Sequence, residues 1–359
     1  MIRSRLTTQA FLATASTLAA LGGTMTTVSP VQAETCLYGA NVSGGEFGKA
    51  EDKPGTYGVT HQFPSAATYE YLASKGMNAV RLPFQWERIQ PELFGPFEPE
   101  ELGHLTKSIA EARANGLTVI LNPHNYGKYY GRAIGSRDVP VDALADFWGR
   151  LASLYPGKTD IVFGLMNEPV DLTARTWLDA SNRAIRAIRD TGADNLVLVP
   201  GTIWTGSSHW FDQQDGGSNA EVMLAVTDPA ENFAIEVHQY LDADFSGTGT
   251  SCSRTADALA ALKRFSGWLE TFGYKGFLGE FGGSQNRSCL DGVKEIATFI
   301  NRRPDIWIGW TIWAAGEWWG AYPYSIQPED GIDRPQMATL IPFLESDHSS
   351  RRDCQYPER

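Results

Sequence analysis

The sequence predicts an α/β protein, a single-domain (β/α)8 TIM barrel. Eight short apolar stretches of strand-like composition alternate along the chain with amphipathic stretches of helical periodicity. No linker rich in proline, serine or threonine separates them, and no second class of composition appears. Eight strand and helix units in one uninterrupted series are typical of this barrel rather than of two domains.

Residues 1–33 are expected to be a cleaved secretion signal. Two arginines near the start precede apolar and small residues at 11–23, and small side chains before position 34 suit a signal peptidase. The stretch is too short to cross a bilayer, which needs about 20 apolar residues; an uncleaved membrane anchor is the alternative. The barrel would then occupy residues 34–359 of a secreted protein, extracellular or periplasmic.

The predicted strands and helices recur in order after this signal. The strands are residues 37–42, 78–84, 117–124, 161–167, 195–201, 233–240, 276–281 and 306–314. The helices are residues 65–75, 100–115, 141–155, 172–190, 255–272, 291–302 and 334–344. The fifth unit is the weak one, because residues 204–232 are loop-like, with only a short apolar piece at 221–226.

The chain is acidic, with 42 Asp and Glu residues against 30 Lys and Arg residues. Nucleic acids and anionic lipids are bound by basic patches, so neither is an expected partner. A neutral ligand is the natural inference. After removal of the signal we expect a monomer that is not associated with a membrane.

Four cysteines in an exported chain suggest two disulfides, for which three pairings exist. We favour Cys252 with Cys289, because each is expected in a loop shortly after a predicted strand. Cys36 with Cys354 would then tie the two ends of the mature chain together. Their spacing matches no zinc finger or zinc ribbon.

Polar and aromatic side chains stand at the carboxyl ends of several predicted strands. The loops that follow the strands of a parallel barrel gather at one face, so these side chains should meet there. They are Arg81, His124, Asn167, Glu168, His238, Tyr240, Glu280 and Trp313.

Two of these residues, Glu168 and Glu280, form a pair suited to cleavage of a glycosidic bond. One carboxyl must be neutral to protonate the departing oxygen, and the other must be ionised to attack or stabilise the anomeric carbon. Arg81 and the Tyr240 hydroxyl can both reach toward Glu280, and both contacts would keep it ionised. Glu168 follows an apolar strand and should be dehydrated and neutral, and Pro169 should hold it in an extended conformation.

Glu236 lies one step deeper on the inward face of the sixth predicted strand, on the same side as His238 and Tyr240. At that depth it is expected to orient His238 or Arg81 rather than to take part in the chemistry.

The sequence resembles glycoside hydrolase family 5, and within it the cellulases of the fungal endoglucanase type. The resemblance covers essentially the whole mature chain. Its motifs are Arg81-Leu82-Pro83-Phe84, Pro123-His124-Asn125-Tyr126, Asn167-Glu168-Pro169, His238-Gln239-Tyr240-Leu241-Asp242 and Gly279-Glu280-Phe281-Gly282.

The resemblance implies a secreted retaining endo-β-1,4-glucanase with a β-glucan substrate and no cofactor. It implies Glu168 as acid/base, Glu280 as nucleophile and Asn167 as the ligand of the sugar 2-hydroxyl. Trp313 resembles the floor beneath that sugar, with a cis bond to Ala314. The implied supporting residues are Arg81, His124, His238 and Tyr240.

Aromatic side chains in the predicted loops of the active face would suit the apolar faces of sugar rings. The candidates are Trp86, Tyr129, Tyr130, Trp204, Trp210, Trp318, Trp319 and Tyr322. Trp204 and Trp318 are the strongest, because each lies just past a strand end. Trp148, Trp177 and Trp268 fall on predicted helices and are expected in the core.

Two alternatives remain open at the level of sequence. The substrate could be another β-glycan, such as mannan, xyloglucan or β-1,3-glucan, or the barrel could bind carbohydrate without turnover. Zinc is not expected, because His124, His209 and His238 lack the H-E-x-x-H spacing. A serine hydrolase is not expected either, because no G-x-S-x-G elbow is present.

Overall fold

The computed structural model describes Met1, residues 34–48, residues 54–344 and the backbone at 353–354. Its centre is a closed barrel of parallel strands that pair in chain order, with the last strand beside the first. The strands are β1 Leu37–Val42, β2 Ala79–Phe84, β3 Thr118–Pro123, β4 Ile161–Gly164, β5 Val197–Pro200, β6 Phe233–His238, β7 Gly276–Phe281 and β8 Trp307–Ala315. The predicted fold class is confirmed.

Seven helices of nine or more residues surround the barrel in the part of the chain that the structure describes. They are α1 Ala66–Ser74, α2 Pro99–Ala114, α3 Asp142–Ala152, α4 Ala174–Asp190, α5 Thr255–Phe272, α6 Arg287–Asn301 and α7 Pro335–Leu344. Shorter elements are the helices Trp86–Ile89 and Asn219–Val222, the 3-10 turns Ser207–His209, Met223–Ala225 and Glu317–Trp319, and the hairpin strands Lys128–Tyr129 and Arg132–Ala133.

The fifth crossover has no long helix, as its loop-like sequence indicated. Asn219–Val222 is a single turn, begun by Ser218, whose hydroxyl accepts the N–H of Glu221 while the Glu221 carboxylate accepts the N–H of Ser218. This reciprocal capping satisfies the free N–H groups of a very short helix.

Three tryptophans on the helices lie in the core, as predicted, and two of them support strand ends. The indole of Trp148 donates to the carbonyl of Leu165, just past β4, at 3.0 Å. The indole of Trp177 donates to the carbonyl of Pro200, the last residue of β5, at 2.6 Å. Trp268 packs behind the fifth crossover and donates to the carbonyl of Ala220 at 2.9 Å. The outer layer therefore holds the backbone from which the active-face loops begin.

Cys252 and Cys289 form the predicted disulfide, with their Cα atoms 4.9 Å apart. Cys289 was expected in a loop but lies in the first turn of α6. Cys36 is also disulfide-bonded. The side chain of Cys354 lies outside the described residues, so its pairing with Cys36 stays a prediction; the backbones of Glu34–Thr35 and Asp353–Cys354 pair as antiparallel strands.

The predicted secretion signal falls on residues 2–33, which lie outside the described part of the chain. Among the residues that are described, no helix has the length and apolar character needed to span a bilayer. The barrel belongs to one compact unit, residues 33–359.

Removing the Cys252–Cys289 crosslink should destabilise the protein. Replacing both cysteines by alanine should lower the free energy of unfolding by about 3 kcal/mol, because the bond closes a loop over a sequence separation of 37. Guanidinium unfolding followed by tryptophan fluorescence measures this change. Ser253→Ala, at an exposed position of the same loop, is the matched control. Equal unfolding midpoints for the double variant and this control would contradict the expectation.

Candidate active site

Arg81 lies fully buried at the centre of the site, in the middle of β2. Its Nη1 donates to Glu280 Oε1 at 2.8 Å, and its Nε lies 2.9 Å from Glu236 Oε1. Its remaining N–H groups reach the side-chain oxygens of Asn41, Asn122 and Asn167 at 2.8, 3.1 and 2.8 Å. The guanidinium thereby connects five other strand ends to β2.

The two predicted glutamates lie together. One oxygen of Glu168, one nitrogen of His238 and one oxygen of Glu280 are all within 4.8 Å of one another. Glu280 Oε2 accepts the Tyr240 hydroxyl at 2.7 Å, while Glu168 Oε1 lies 2.7 Å from His238 Nδ1. The contacts of Arg81 and Tyr240 with Glu280 are those that the sequence predicted.

The two glutamates differ in how far they are buried. Glu280 is the more dehydrated, with 5% of its side chain exposed against 15% for Glu168. Burial raises the pKa of Glu280, although His238, Arg81 and the Tyr240 hydroxyl act to lower it. The Glu168 side chain is also largely buried, so its expected loss of hydration agrees with the structure.

The backbone at Glu168 differs from the expected conformation. Glu168 has a φ of +43°, an uncommon conformation for a residue with a side chain, rather than the extended shape expected before Pro169. The N–H of Asn167 is held by the carbonyl of Pro123 at 2.8 Å, and the carboxylate is held by His238. These two contacts fix the residue from both sides.

His238 lies between three carboxylates. Burial alone would lower the pKa of its imidazole, but Glu280, Glu168 and Glu236 raise that pKa to about 9. Its Nε2 is 3.3 Å from Glu236 Oε1. Glu236, expected to orient His238 or Arg81, contacts both. Gly279 makes room for Glu236, since a Cβ there would lie 2.1 Å from its Oε1.

His124 and Trp313 form the opposite wall. Their rings are 5.7 Å apart and nearly parallel, and the peptide bond between Trp313 and Ala314 is cis, as the family resemblance implied. Burial, Arg81 and His238 all lower the pKa of His124, so this imidazole is neutral. Asn122 contacts the His124 Nδ1 at 3.1 Å.

Asn167 presents an amide group to the site. Arg81 binds its oxygen, which leaves the Nδ2 group without a hydrogen-bond partner among the described residues. A buried amide donor without a partner is poised to bind an acceptor from a ligand.

The predicted aromatic platforms divide into exposed and buried groups. Trp204 is 51% exposed and Trp318 is 41% exposed, whereas Tyr130, Trp319 and Tyr322 are partly buried. Three other candidates are not platforms and pack in the core: Trp86, Tyr129 and Trp210. Their positions in loops suggested exposure, but Trp86 packs against Phe147, and Trp210 packs against Phe265.

Several site residues were missed by the sequence argument. Asn41 and Asn122 also stand at strand ends, and that position was the available signal. Glu46 is buried beyond the end of β1, and its Oε2 accepts the N–H of Gly44 at 2.7 Å. Burial raises the pKa of Glu46 to about 7, and the Glu280 charge adds to this effect. No periodic pattern surrounds Glu46 that could have identified it.

Glu168, His238 and Glu280 are also the donor set that could approach a metal ion. A cation there would compete with the Arg81 guanidinium on Glu280 and would require neutral His238, whose pKa is raised to about 9. The arrangement suits a hydrogen-bonded network of opposite charges better than a metal centre.

The chain is similar to known cellulases over most of its length. A family model described as cellulase (glycosyl hydrolase family 5) matches residues 39–316. Endo-beta-1,4-glucanase A of Emericella nidulans is 35% identical over 326 residues, which are 90% of this chain and 97% of that protein.

Solved structures are also similar to this chain over most of its length. A triple mutant of the endo-beta-1,4-glucanase from Xanthomonas axonopodis pv. citri is 45% identical, with a TM-score of 0.84 over 86% of this chain and 99% of that chain. XacCel5A in complex with cellopentaose has the same identity, coverage and TM-score.

The matched region, residues 39–316, contains every strand end that contributes a side chain to the site. It includes Arg81, both glutamates and Trp313. The extent of the match, together with the relatives, assigns the family. The chain belongs to glycosyl hydrolase family 5, the cellulase family.

Proposed function

We propose that this protein is a retaining endo-β-1,4-glucanase that hydrolyses internal bonds of cellulose or related β-glucans by double displacement. The observation that carries the proposal is the pair of glutamates, since one oxygen of Glu168 and one of Glu280 lie within 4.8 Å. Retaining enzymes hold their carboxyl groups about 5 to 5.5 Å apart, whereas inverting enzymes need about 6.5 to 9.5 Å for a water molecule. The names of the relatives and the cellopentaose complex support the substrate class.

Glu280 is the proposed nucleophile. Both of its oxygens accept hydrogen bonds, Oε1 from Arg81 and Oε2 from Tyr240. A proton on Oε1 would have no acceptor, because a guanidinium can only donate, so these contacts favour the carboxylate. The carboxylate attacks the anomeric carbon, the bond to the departing chain breaks, and Glu168 gives its proton to the departing oxygen.

Glu168 then acts as the base in the second step. Its carboxylate takes a proton from a water molecule, the water oxygen attacks the anomeric carbon, and Glu280 is released. The sugar keeps its β configuration. Between the two steps Glu168 is ionised, and the protonated imidazole of His238, at 2.7 Å, stabilises that charge.

Several side chains are proposed to bind the glucan. The unpartnered Nδ2 of Asn167 donates to the 2-hydroxyl of the reacting sugar, and Trp313 lies beneath that sugar. Trp204 and Trp318 stack on sugars further along the chain, because exposed indoles pack well on the apolar faces of pyranose rings. Arg81, His124, His238 and Tyr240 hold the reacting groups in position.

We also propose that residues 1–33 are a secretion signal and that residues 34–359 form a monomeric catalytic domain outside the cytoplasm. The N-terminal composition supports this, and so does the presence of disulfides, which persist in oxidising compartments. Mass spectrometry of the exported chain tests the cleavage site. A secreted protein that still carries residues 1–33 would contradict it.

Substitution of either glutamate should abolish turnover while the glucan still binds. Glu168→Gln should lower kcat by about 10²- to 10⁴-fold, because the departing oxygen loses its proton donor; Glu280→Gln should lower it at least as much. Reducing-end release from soluble β-1,4-glucan measures turnover, and calorimetry measures binding of cellopentaose. Glu100→Gln, at an exposed position of α2, is the control. Full turnover in either site variant would overturn the proposal.

Azide separates the two roles. With an activated aryl β-cellobioside, azide should rescue Glu168→Ala and give the β-glycosyl azide, because the covalent intermediate on Glu280 still forms. In Glu280→Ala, azide should attack the substrate directly and give the α-glycosyl azide. The opposite products would exchange the two assignments.

A panel of purified polysaccharides distinguishes the remaining alternatives. Release of reducing ends should be fastest from β-1,4-glucan and slower from mannan, xyloglucan and β-1,3-glucan. Faster release from one of the latter would change the substrate, and binding of glucan without any release would indicate a carbohydrate-binding barrel.

The exposed tryptophans should affect polymer binding more than chemistry. Trp204→Ala or Trp318→Ala should raise KM for soluble β-1,4-glucan by about five- to tenfold, equivalent to about 1 to 1.4 kcal/mol of lost stacking, and should change kcat little. Phe272→Ala is the control, since Phe272 is 48% exposed at the end of α5, on the opposite face of the barrel. An unchanged KM in both tryptophan variants would contradict their role.

A further inference from the structure

The loop after Tyr240, residues 242–249, is wound around one buried carboxylate. Asp242 Oδ1 accepts the N–H of Gly247 at 3.0 Å. Its Oδ2 accepts the N–H groups of Thr248 and Gly249 at 3.1 and 2.8 Å and the hydroxyl of Ser246 at 3.2 Å. Four donors thus reach the two oxygens, three of them at Oδ2, and the Ser246 hydroxyl also lies 2.8 Å from Asp244 Oδ1. Asp242 therefore determines the shape of this loop.

The loop has the spacing Asp242-x-Asp244-x-Ser246-Gly247, which also begins calcium-binding loops. In this protein the oxygens of Asp242 are directed at N–H and O–H donors of the loop itself. The position at which a calcium loop supplies a bidentate glutamate is Ser253. Internal hydrogen bonds thus hold this loop, whereas a bound cation holds a calcium-binding loop.

The conformation of this loop places its backbone against Tyr240. Gly247 has a φ of +73°, and a Cβ on it would lie 2.6 to 2.8 Å from three ring atoms of Tyr240. The backbone of the loop is therefore pressed against the ring, where only glycine fits. Tyr324 donates to the carbonyl of Gly249 at 2.5 Å, and its ring lies 6.2 Å from that of Tyr240. The Tyr240 ring is confined by the loop and by Tyr324.

The hydroxyl of the confined ring contacts Glu280. The Tyr240 hydroxyl donates to Glu280 Oε2 at 2.7 Å, and both side chains are buried. A hydrogen bond of this kind weakens quickly when its donor moves. The height of the ring, meaning the distance of its hydroxyl from Glu280 Oε2, therefore matters. Substitution of loop residues would change this height without removing any group that contacts substrate.

We propose that Asp242 and Gly247 are positioning residues for the nucleophile: the carboxylate-wound loop holds the Tyr240 ring at the height at which its hydroxyl donates to Glu280. The inference rests on the proposed role of Glu280 as nucleophile. Burial raises the pKa of Glu280 and the Tyr240 hydroxyl lowers it, so the loop also helps to keep Glu280 ionised. Six further titratable groups interact with the Glu280 carboxyl: Arg81, His238, Glu168, Glu46, Tyr126 and Tyr322.

The first test compares two glycine substitutions with equal backbone strain. Gly247→Ala should lower kcat/KM for cellopentaose about tenfold or more, because the displaced ring weakens a hydrogen bond to a charged group. It should also move the acid limb of the pH profile of kcat/KM to higher pH, since Glu280 loses a contact that lowers its pKa. Gly273→Ala is the control, because Gly273 has a φ of +74° but open space around it.

The second test shows whether the effect passes through the tyrosine hydroxyl. Tyr240→Phe removes the hydrogen bond, so adding Gly247→Ala to Tyr240→Phe should change kcat/KM by less than about twofold. If Gly247→Ala has the same effect with and without the hydroxyl, the proposed route through Tyr240 is wrong.

Asp242→Asn provides a variant without backbone strain. The amide cannot accept all four donors, so the loop should loosen, and the acid limb should move in the same direction, with a three- to tenfold lower kcat/KM. Asp244→Asn, exposed in the same loop, removes an equal charge but keeps the Oδ1 acceptor for the N–H and hydroxyl of Ser246, so it should leave both quantities unchanged. Thermal unfolding of every variant separates loss of stability from loss of positioning.

The outcomes are distinguishable from those of the proposed function. A wild-type protein that cleaves no β-glucan would overturn the proposed function and this inference together. If the wild-type protein is active, this inference alone is overturned when each variant matches its control in kcat/KM and in the acid limb. The pairs to compare are Gly247→Ala with Gly273→Ala, and Asp242→Asn with Asp244→Asn. Should Gly247→Ala fail to fold, the aspartate pair decides alone.

Discussion

The structure of the site depends on one buried guanidinium. Four of the five N–H groups of Arg81 donate hydrogen bonds at 2.8 to 3.1 Å, and Nε forms an ion pair with Glu236 at 2.9 Å. The acceptors lie on or just past β1, β3, β4, β6 and β7: Asn41, Asn122, Asn167, Glu236 and Glu280. A buried arginine without these partners would be strongly destabilising, so the same contacts that make its burial tolerable also fix the strand ends around it. The contacts that join the strand ends are thus the same contacts that set the geometry of the site.

Around that cation the charges are nearly balanced. Two cations, Arg81 and protonated His238, face the carboxyls of Glu168, Glu236 and Glu280. One additional proton makes the cluster neutral, and Glu168 is the most exposed of the three carboxyls and has no arginine partner. In the proposed mechanism Glu168 gives one proton to the departing oxygen. Glu236 is held between Arg81 and His238 and stays ionised, because these contacts outweigh burial and lower its pKa.

Aromatic residues serve the fold and the ligand in different places. Indoles on α3, α4 and α5 donate to backbone carbonyls and make the outer layer rigid. Trp204 and Trp318, in loops of the active face, are exposed and remain free to stack on sugars. The loop after β6 adds a third use, in which Tyr240 is confined by backbone so that its hydroxyl, rather than its ring face, contacts the reacting group. A rigid scaffold with variable loops allows these uses to coexist.

The sequence by itself determined the eight strand and helix units and the meeting of Arg81, Tyr240, Glu168 and Glu280, because periodicity reports burial and a parallel barrel brings all strand ends to one face. It also identified the Cys252–Cys289 pair. Only the tertiary structure decided which loop tryptophans are buried, which glutamate is more dehydrated, and that Glu168 has a positive φ. These properties depend on contacts between residues distant in the chain, such as Glu168 with His238. No local pattern around either residue specifies such a contact.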